Sequence, residues 1–123
     1  MEPVSFEQRG DVFIFYISGL LTIPTISDFI KTHCPSINKH AVYNLSNVSF
    51  DPSVKYSNLL QIAMLAKRHM TNRDPNGKTA HVCAQISSFG MLNMFATVLS
   101  GSGILHKQRV FKSLDEALQW ISE

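Results

Sequence analysis

Three polar residues, Asp51, Ser53 and Ser57, follow the apolar run that ends at Phe50, with a proline between the first two. The side-chain oxygens of Asp51 and Ser53 can accept the free backbone N–H groups at the start of a helix, which predicts a structural role as caps. The hydroxyls of Ser53 and Ser57 can instead carry a phosphate, because helix N–H groups and the helix dipole favour an anion there. The residue types therefore allow either a helix cap or a regulatory site at residues 51–57.

A second pair of hydroxyls, Ser87 and Ser88, stands where a strand pattern changes into a helical one. Two hydroxyls beside a helix amino end can hold a phosphate or a carboxylate, although helix capping also explains them. The same region has more large apolar side chains than one buried stripe needs. These are Phe89, Met91, Met94 and Phe95. Core filling, a dimer face and an apolar pocket for a lipid-like ligand remain open.

The chemistry-bearing residues form no catalytic or metal-binding pattern. The histidines show no pairing such as H-x-x-x-H, and Cys34 and Cys83 fit no metal or redox spacing. His81 and Cys83 lie two positions apart among apolar residues, which favours packing over a ligand pair. No G-x-S-x-G nucleophile elbow occurs. We therefore expect a non-enzymatic protein with no cofactor and no metal.

The composition fits one domain covering residues 1–123. A chain of 123 residues lies in the usual range of a single domain, roughly 100–150 residues. Its formal net charge of +2 is too small to argue for nucleic acid or an anionic membrane as a partner. The longest apolar run, VFIFYISGLL, is about half of the ~20 residues that a membrane-spanning helix requires. Since the first ten residues do not resemble a secretory signal, we expect a cytoplasmic protein.

Hydrophobic periodicity predicts the elements that position these residues. Two strand patterns flank a turn at residues 9–11 and indicate an antiparallel hairpin, whose second strand is expected to end at Gly19. Thr25 and Asp28 resemble a capping box at the start of the first helix. A third strand pattern covers residues 40–50.

Two further strands and three helices complete the chain. Ser87 or Ser88 is the expected cap of the third helix, and Ser113 with Glu116 forms an S-x-x-E box before the fourth. The expected apolar stripe of the second helix is Leu59, Leu60, Ala63, Ala66 and Met70. The order β-β-α-β-α-β-α-β-α predicts an α/β fold. Its mixed five-stranded sheet would be mostly parallel, with one antiparallel amino-terminal strand and four helices.

Binding groups in sheets of this kind collect at the carboxyl ends of the parallel strands. Those ends are residues 19–25, 44–57 and 85–89. We therefore expect the Asp51–Ser57 bend and the Ser87–Ser88 pair to lie on the same rim of the sheet.

With this order of elements, one stretch resembles a known motif. Residues 44–50 read N-L-S-N-V-S-F and precede D-P-S-V and a helix, similar to the D-L-S-x-V-x-F strand and D-S-S-G bend of STAS domains. The tail, RVFKSLDEALQWI, is similar to a stand-alone bacterial branch of that superfamily. Over nearly its whole length the chain thus resembles the STAS (SpoIIAA-like) superfamily, named for sulfate transporters and anti-anti-sigma factors.

The resemblance implies a signalling role with an altered site. In anti-anti-sigma members a kinase phosphorylates the first serine of the bend, and partner binding depends on the phosphate. Pro52 occupies that position here and Val54 replaces the glycine, so only Ser53 keeps a hydroxyl within the motif. The implied function is a non-enzymatic, protein-binding regulatory domain with a degenerate phosphorylation site. Its partner would be an anti-sigma-factor-like kinase or a second copy of the chain, held by residues 51–57 and the following helix.

A hypothesis of a different class is a small carrier or sensor of an apolar or anionic, lipid-like ligand. It depends on the surplus of methionine and phenylalanine near Ser87, Ser88 and Phe89. An enzyme is the third possibility, and no catalytic constellation in the sequence supports it.

Overall fold

The computed structural model describes residues 4–104 and 106–123, apart from the side chains of residues 86–88. This part of the chain forms five strands and four helices in the predicted order. They are β1 Val4–Arg9, β2 Val12–Leu21, α1 Ile23–His33, β3 His40–Phe50, α2 Leu59–His69, β4 Lys78–Val82, α3 Ile86–Gly101, β5 Lys107–Phe111 and α4 Leu114–Ser122. Short 3-10 helices, Cys34–Ser36 and Tyr56–Asn58, follow α1 and precede α2.

The strands form a mixed sheet in the order β1-β2-β3-β4-β5. β1 and β2 are antiparallel, with Phe6 opposite Phe15. Gly10, in the turn between them, has the positive φ of 61° that favours glycine. β2 to β5 pair in parallel. The predicted α/β class, with one antiparallel amino-terminal strand, is therefore confirmed.

The helices are distributed unequally over the two faces of the sheet. Consecutive parallel strands lie side by side, and right-handed connections between them place all of the connecting helices on one face. α1, α2 and α3 pack on that face, with α2 in contact with both of the others. α4 packs on the opposite face against β3, β4 and β5. Because the order of the parallel strands never reverses, the sheet offers no switch-point crevice, and ligand-sized space lies beneath the three helices instead.

Alternation along the strands gives the sheet two apolar faces. One face buries Phe15 and Leu45 under the three helices, and the other buries Ile14 and Val42 against Ala117 of α4. Apolar surface removed from water stabilises a fold by about 25 cal/mol per Å². Both layers of helices are thus held to the sheet by apolar burial.

Two predicted boundaries at the start of the chain are wrong. β2 continues through Gly19, whose φ is 96°, to Leu21, after a register shift beyond Tyr16. The cap of α1 is Thr22 rather than Thr25, because the Thr22 hydroxyl accepts the Thr25 N–H at 3.3 Å. Thr25 is instead the third residue of the helix, where its own hydroxyl accepts the Thr22 N–H at 2.8 Å.

In the later helices, two predictions from the sequence are wrong and one is confirmed. α3 begins at Ile86 with Gln85 as its N-cap, so neither Ser87 nor Ser88 is the cap. In α2 the buried stripe contains Ile62 in place of Leu60, which is 58% exposed. The cap before α4 is as predicted. The Ser113 hydroxyl accepts the backbone N–H of Glu116 at 3.2 Å.

Candidate functional site

Residues 51–57 form a turn before α2 rather than the first residues of that helix. The Asp51 carboxylate accepts the backbone N–H of Ser53 at 2.9 Å, and the Val54 N–H donates to the Asp51 carbonyl at 2.9 Å. Hydrogen bonds from the Ser53 hydroxyl and N–H hold the pKa of Asp51 below its usual value. Since α2 starts only at Leu59, the prediction that Asp51 and Ser53 cap it is wrong.

The turn is tied to the sheet on one side and open to solvent on the other. The Asp51 N–H donates to the Leu21 carbonyl of β2 at 2.9 Å, and the Val54 side chain is only 4% exposed. Ser53 and Ser57 are both exposed. The two serines are thus presented to solvent on a backbone that the sheet holds in place.

An apolar stripe continues from this turn along α2. Tyr56, Leu60 and Met64 are 59%, 58% and 46% exposed. Leu60 and Met64, four residues apart, lie along one side of α2, and Tyr56 belongs to the 3-10 helix that precedes it. We call these three residues the α2 stripe. No acidic residue occurs between positions 52 and 73. The exposed basic residues of the same segment are Lys55, Lys67 and Arg68.

The rim that carries the turn also receives the loop after β4. The Gln85 side-chain amide donates to the Ser46 carbonyl of β3 at 3.1 Å, which joins two strand ends as predicted. The side chains of Ser87 and Ser88 lie outside the described part, so their contact with an anion stays a prediction. Phe89 is half-buried, and its ring centre lies 5.6 Å from the Lys112 ammonium.

A cavity of about 670 Å³ lies between the sheet and the three-helix layer. Its volume falls within the roughly 300–1,000 Å³ of small-molecule sites. α1, α2 and α3 all contribute to its wall, and α3 does so through Met91 and Phe95 rather than Phe89. The wall also includes Phe6 and Leu20, which are 54% and 55% exposed. These two residues mark a side where the cavity meets solvent.

A row of rings crosses the sheet beneath the cavity. Phe6 and Phe15 have ring centres 5.6 Å apart, and Phe15 and Tyr43 have the same separation. His81 continues the row with its ring centre 5.5 Å from that of Tyr43. These four residues are paired in register from β1 to β4, and three of them, Phe6, Tyr43 and His81, line the cavity, so its floor is largely aromatic.

The far end of this floor is polar. His81 Nε2 lies 3.0 Å from Gln108 Oε1, so the imidazole N–H donates to the amide oxygen. Gln108 is the register partner of Thr79, and all three residues belong to the cavity wall. Together with Arg73 behind them, these residues make up what we call the polar corner.

Arg73 reaches the polar corner from the loop between α2 and β4. Its Nε donates to the Lys39 carbonyl at 2.9 Å, and its Nη2 donates to the Lys78 carbonyl at 3.0 Å. The same Nη2 donates to the Thr79 hydroxyl. Burial lowers the pKa of Arg73, but a guanidinium keeps its proton in proteins. The Arg73 side chain is thus half-buried, and its guanidinium, whose Nη1 has almost no exposed surface, lies directly behind the cavity wall.

Burial keeps the other titratable groups near Arg73 neutral at neutral pH. Desolvation, aided by the charge of Arg73, lowers the pKa of His81 to about 4 and that of His106 to about 3. Desolvation also raises the pKa of Tyr43, and it raises that of Cys34 to about 11. The guanidinium is therefore the group that sets the sign of the charge in this corner.

Sequence reasoning missed both Arg73 and Gln108. Arg73 belongs to a turn cluster, TNRDPNG, whose composition indicates only a loop, and Gln108 lies in a short strand pattern. No signal in the sequence marks either residue. Among the described residues, no three His, Cys, Asp or Glu side chains cluster as metal ligands would. None of the helices within residues 4–104 and 106–123 is long and apolar enough to cross a bilayer.

No protein-family model matches the chain, and no curated protein matches its sequence. Its structure is similar to that of the anti-sigma factor antagonist SpoIIAA in its unphosphorylated form, with a TM-score of 0.58 and 10% identity over 97% of both chains. It is also similar to an uncharacterized protein of the DUF3478 family from Shewanella loihica PV-4. That match has a TM-score of 0.55 and 12% identity, over 96% of this chain and 91% of the other. The chain therefore has the SpoIIAA-like fold that its resemblance to STAS domains predicts.

Proposed function

We propose that the chain is a non-enzymatic, regulatory STAS-like domain that binds another protein through residues 51–57 and the α2 stripe. The observation that carries this proposal is the stripe itself, Tyr56, Leu60 and Met64, exposed beside two exposed serines. Contiguous apolar residues on a surface mark interaction sites more often than single ones do. The shared fold with SpoIIAA, an anti-sigma factor antagonist, agrees with this role.

The charge around the stripe indicates the chemistry of the partner. Lys55, Lys67 and Arg68 flank the apolar centre, and no acidic residue occurs between positions 52 and 73. A partner with an apolar groove and an acidic rim would match this surface. Complementary charges at a rim mainly increase the association rate and fix the orientation, while the apolar centre supplies most of the affinity.

Of the two exposed serines, Ser57 is the better candidate for a charge switch. Ser53 lies beside the Asp51 carboxylate, which accepts its N–H, so a phosphate on Ser53 would meet a like charge. Ser57 lies two residues before Leu59, the start of α2, where helix N–H groups favour an anion. Phosphorylation of Ser57 would also place negative charge next to Tyr56 of the α2 stripe.

The proposal is tested by comparing the proteins that co-purify with wild type and with two α2 variants from an extract of the source cells. Leu60→Asp places a charge in the stripe, and Gln61→Asp places the same charge on the next exposed residue. We expect Leu60→Asp to lose a specific partner that wild type and Gln61→Asp both retain. Circular dichroism should show equal folding of the three proteins. The same co-purified set for all three proteins would contradict a binding role for the stripe.

A second candidate function, carrier or sensor of an apolar ligand, is favoured by the cavity of about 670 Å³. Native mass spectrometry of the freshly purified protein should show a fraction with a bound small molecule. Ala66 lines the cavity and is 4% exposed, so Ala66→Phe should reduce that fraction by filling the space. A protein that carries no small molecule and takes up no added amphiphile does not have this function.

A further inference from the structure

We propose that the cavity binds an elongated apolar molecule with a carboxylate head, and that the polar corner recognises this head. The ligand class is that of fatty acids and similar monocarboxylates. This inference deepens the second candidate function and rests on it, because it requires the cavity to hold a ligand.

The first argument is the unmatched charge of Arg73. Buried arginines are ordinarily paired with an acid, because an isolated charge in a protein interior is costly. Here the three groups that Arg73 bonds, two backbone carbonyls and the Thr79 hydroxyl, are all uncharged. In the described part of the chain Arg73 forms no salt bridge. Its neighbour Asp74 uses its carboxylate to accept the Asn76 N–H at 2.8 Å. A ligand carboxylate would supply the missing negative charge.

The second argument is the type of hydrogen-bonding group left free in the corner. Three buried side-chain nitrogens, Arg73 Nη1, Gln108 Nε2 and His106 Nε2, have no hydrogen-bond partner within residues 4–104 and 106–123. The arginine and glutamine nitrogens, which belong to the polar corner, are donors. In this arrangement the His81 N–H donates to the Gln108 amide oxygen, which leaves the amide NH₂ for another acceptor. The corner therefore offers donors to an incoming head group.

The positions of Gln108 and Arg73 give them different roles. Gln108 is part of the cavity wall, and a rotation of its side chain would bring its NH₂ group, which has almost no exposed surface here, against a ligand oxygen. Arg73 lies one residue behind the wall, bonded to Thr79, which lines the cavity. Its charge acts across this short distance because a protein interior screens charges much less than water does. A carboxylate is favoured by both residues, whereas an ammonium head would meet a like charge.

The third argument is the shape of the remaining space. Phe6 and Leu20, on β1 and β2, mark the solvent side, and Gln108 lies on β5 at the other edge of the sheet. Three strand spacings separate β2 from β5, a distance of roughly 14 Å. Ile17, Leu45 and Leu92 form an apolar part of the wall between them. The wall also includes polar residues of α1, among them the exposed Asp28. A molecule that enters head first would place an extended aliphatic tail along the aromatic floor.

The test is a calorimetric titration with three probes of equal chain length, dodecanoate, 1-dodecanol and dodecylamine, each below its micelle concentration. We expect wild type to bind dodecanoate at least about tenfold more tightly than dodecylamine. A factor of ten corresponds to ~1.4 kcal/mol, which is at the low end for a hydrogen bond to a charged group. Gln108→Leu and Arg73→Met should each reduce this preference. Lys31→Met, which removes an exposed cation that does not line the cavity, should leave it unchanged.

Each outcome of the titration has a distinct meaning. Equal affinity for the three probes would overturn the assignment of the head group and leave the carrier function standing. No binding of any probe would overturn both, while the protein-binding proposal would remain. Arg73→Met removes three internal hydrogen bonds and can therefore fail to fold. In that case the preference of wild type and the effect of Gln108→Leu decide the question. A Gln108→Leu variant that keeps the full preference would contradict direct recognition by the amide.

Discussion

Mild acid should destabilise this protein, because the buried histidines His40, His81 and His106, whose pKa values are all lowered, must gain protons when it unfolds. Burial lowers the pKa of His81 to about 4 and that of His106 to about 3. In an unfolded chain each histidine has a pKa of about 6.5. Between these values the unfolded state binds more protons than the folded state. Linkage then requires the free energy of unfolding to fall as the pH falls below about 6.5.

The size of the effect can be worked out for His81, which is 2% exposed. With a folded pKa of about 4, this residue alone removes about 2 kcal/mol of stability between pH 7.5 and pH 5. His106 contributes with the same sign. Domains of ordinary stability have only about 5–15 kcal/mol in total, so the loss should be easy to measure.

Urea unfolding followed by circular dichroism at several pH values between 7.5 and 5 measures this dependence. His81→Leu should lower stability at pH 7.5 because Gln108 loses its partner, but its stability should fall by about 2 kcal/mol less on acidification. His69→Gln, at the end of α2, controls for the loss of one histidine elsewhere. If wild type and His81→Leu lose the same free energy between pH 7.5 and pH 5, His81 is not neutral in the folded protein and the reasoning fails.

Three further predictions concern the free energy of unfolding, measured by urea titration at pH 7.5. Gly77→Ala should cost about 1–3 kcal/mol because the new methyl group would overlap the Lys39 carbonyl. Gly90→Ala should stabilise by up to about 1 kcal/mol, because the space around Gly90 in α3 is open and alanine favours a helix. Equal effects of the two changes would contradict this explanation. Phe15→Ala should cost about 3–5 kcal/mol, since Phe15 is 1% exposed and its ring stacks on that of Tyr43 in the neighbouring strand. Ser113→Ala should cost about 1 kcal/mol through loss of the cap of α4, and an unchanged midpoint would argue against that cap.

The order of elements could be predicted because long periodic segments carry most of the information about a fold. The ends of elements could not, because several residues of suitable type compete for each position. Thr22 and Thr25 are both good caps, and only the path of β2 through Gly19 decides between them. Leu60 and Ile62 are both apolar residues of α2, and the neighbouring helices determine that Ile62 is buried.

The two candidate sites also differ in how far the sequence predicts them. The turn at residues 51–57 could be located because a local motif marks it. The polar corner could not, since it depends on contacts between residues far apart in the chain. Arg73 bonds the carbonyl of Lys39, 34 positions away, and His81 bonds Gln108, 27 positions away. Such pairings exist only once the strands are in register.

One side chain belongs to both the turn and the cavity. Val54 anchors the turn through its N–H bond to Asp51, and its buried methyl groups line the cavity. A ligand in the cavity would therefore contact the residue that anchors the turn. If the two sites are coupled in this way, a partner that grips the turn must alter ligand affinity by the same factor by which the ligand alters partner affinity. Because Pro52 has no hydroxyl, we expect a ligand in the cavity, acting through Val54, to be a second route of control beside a charge on Ser57.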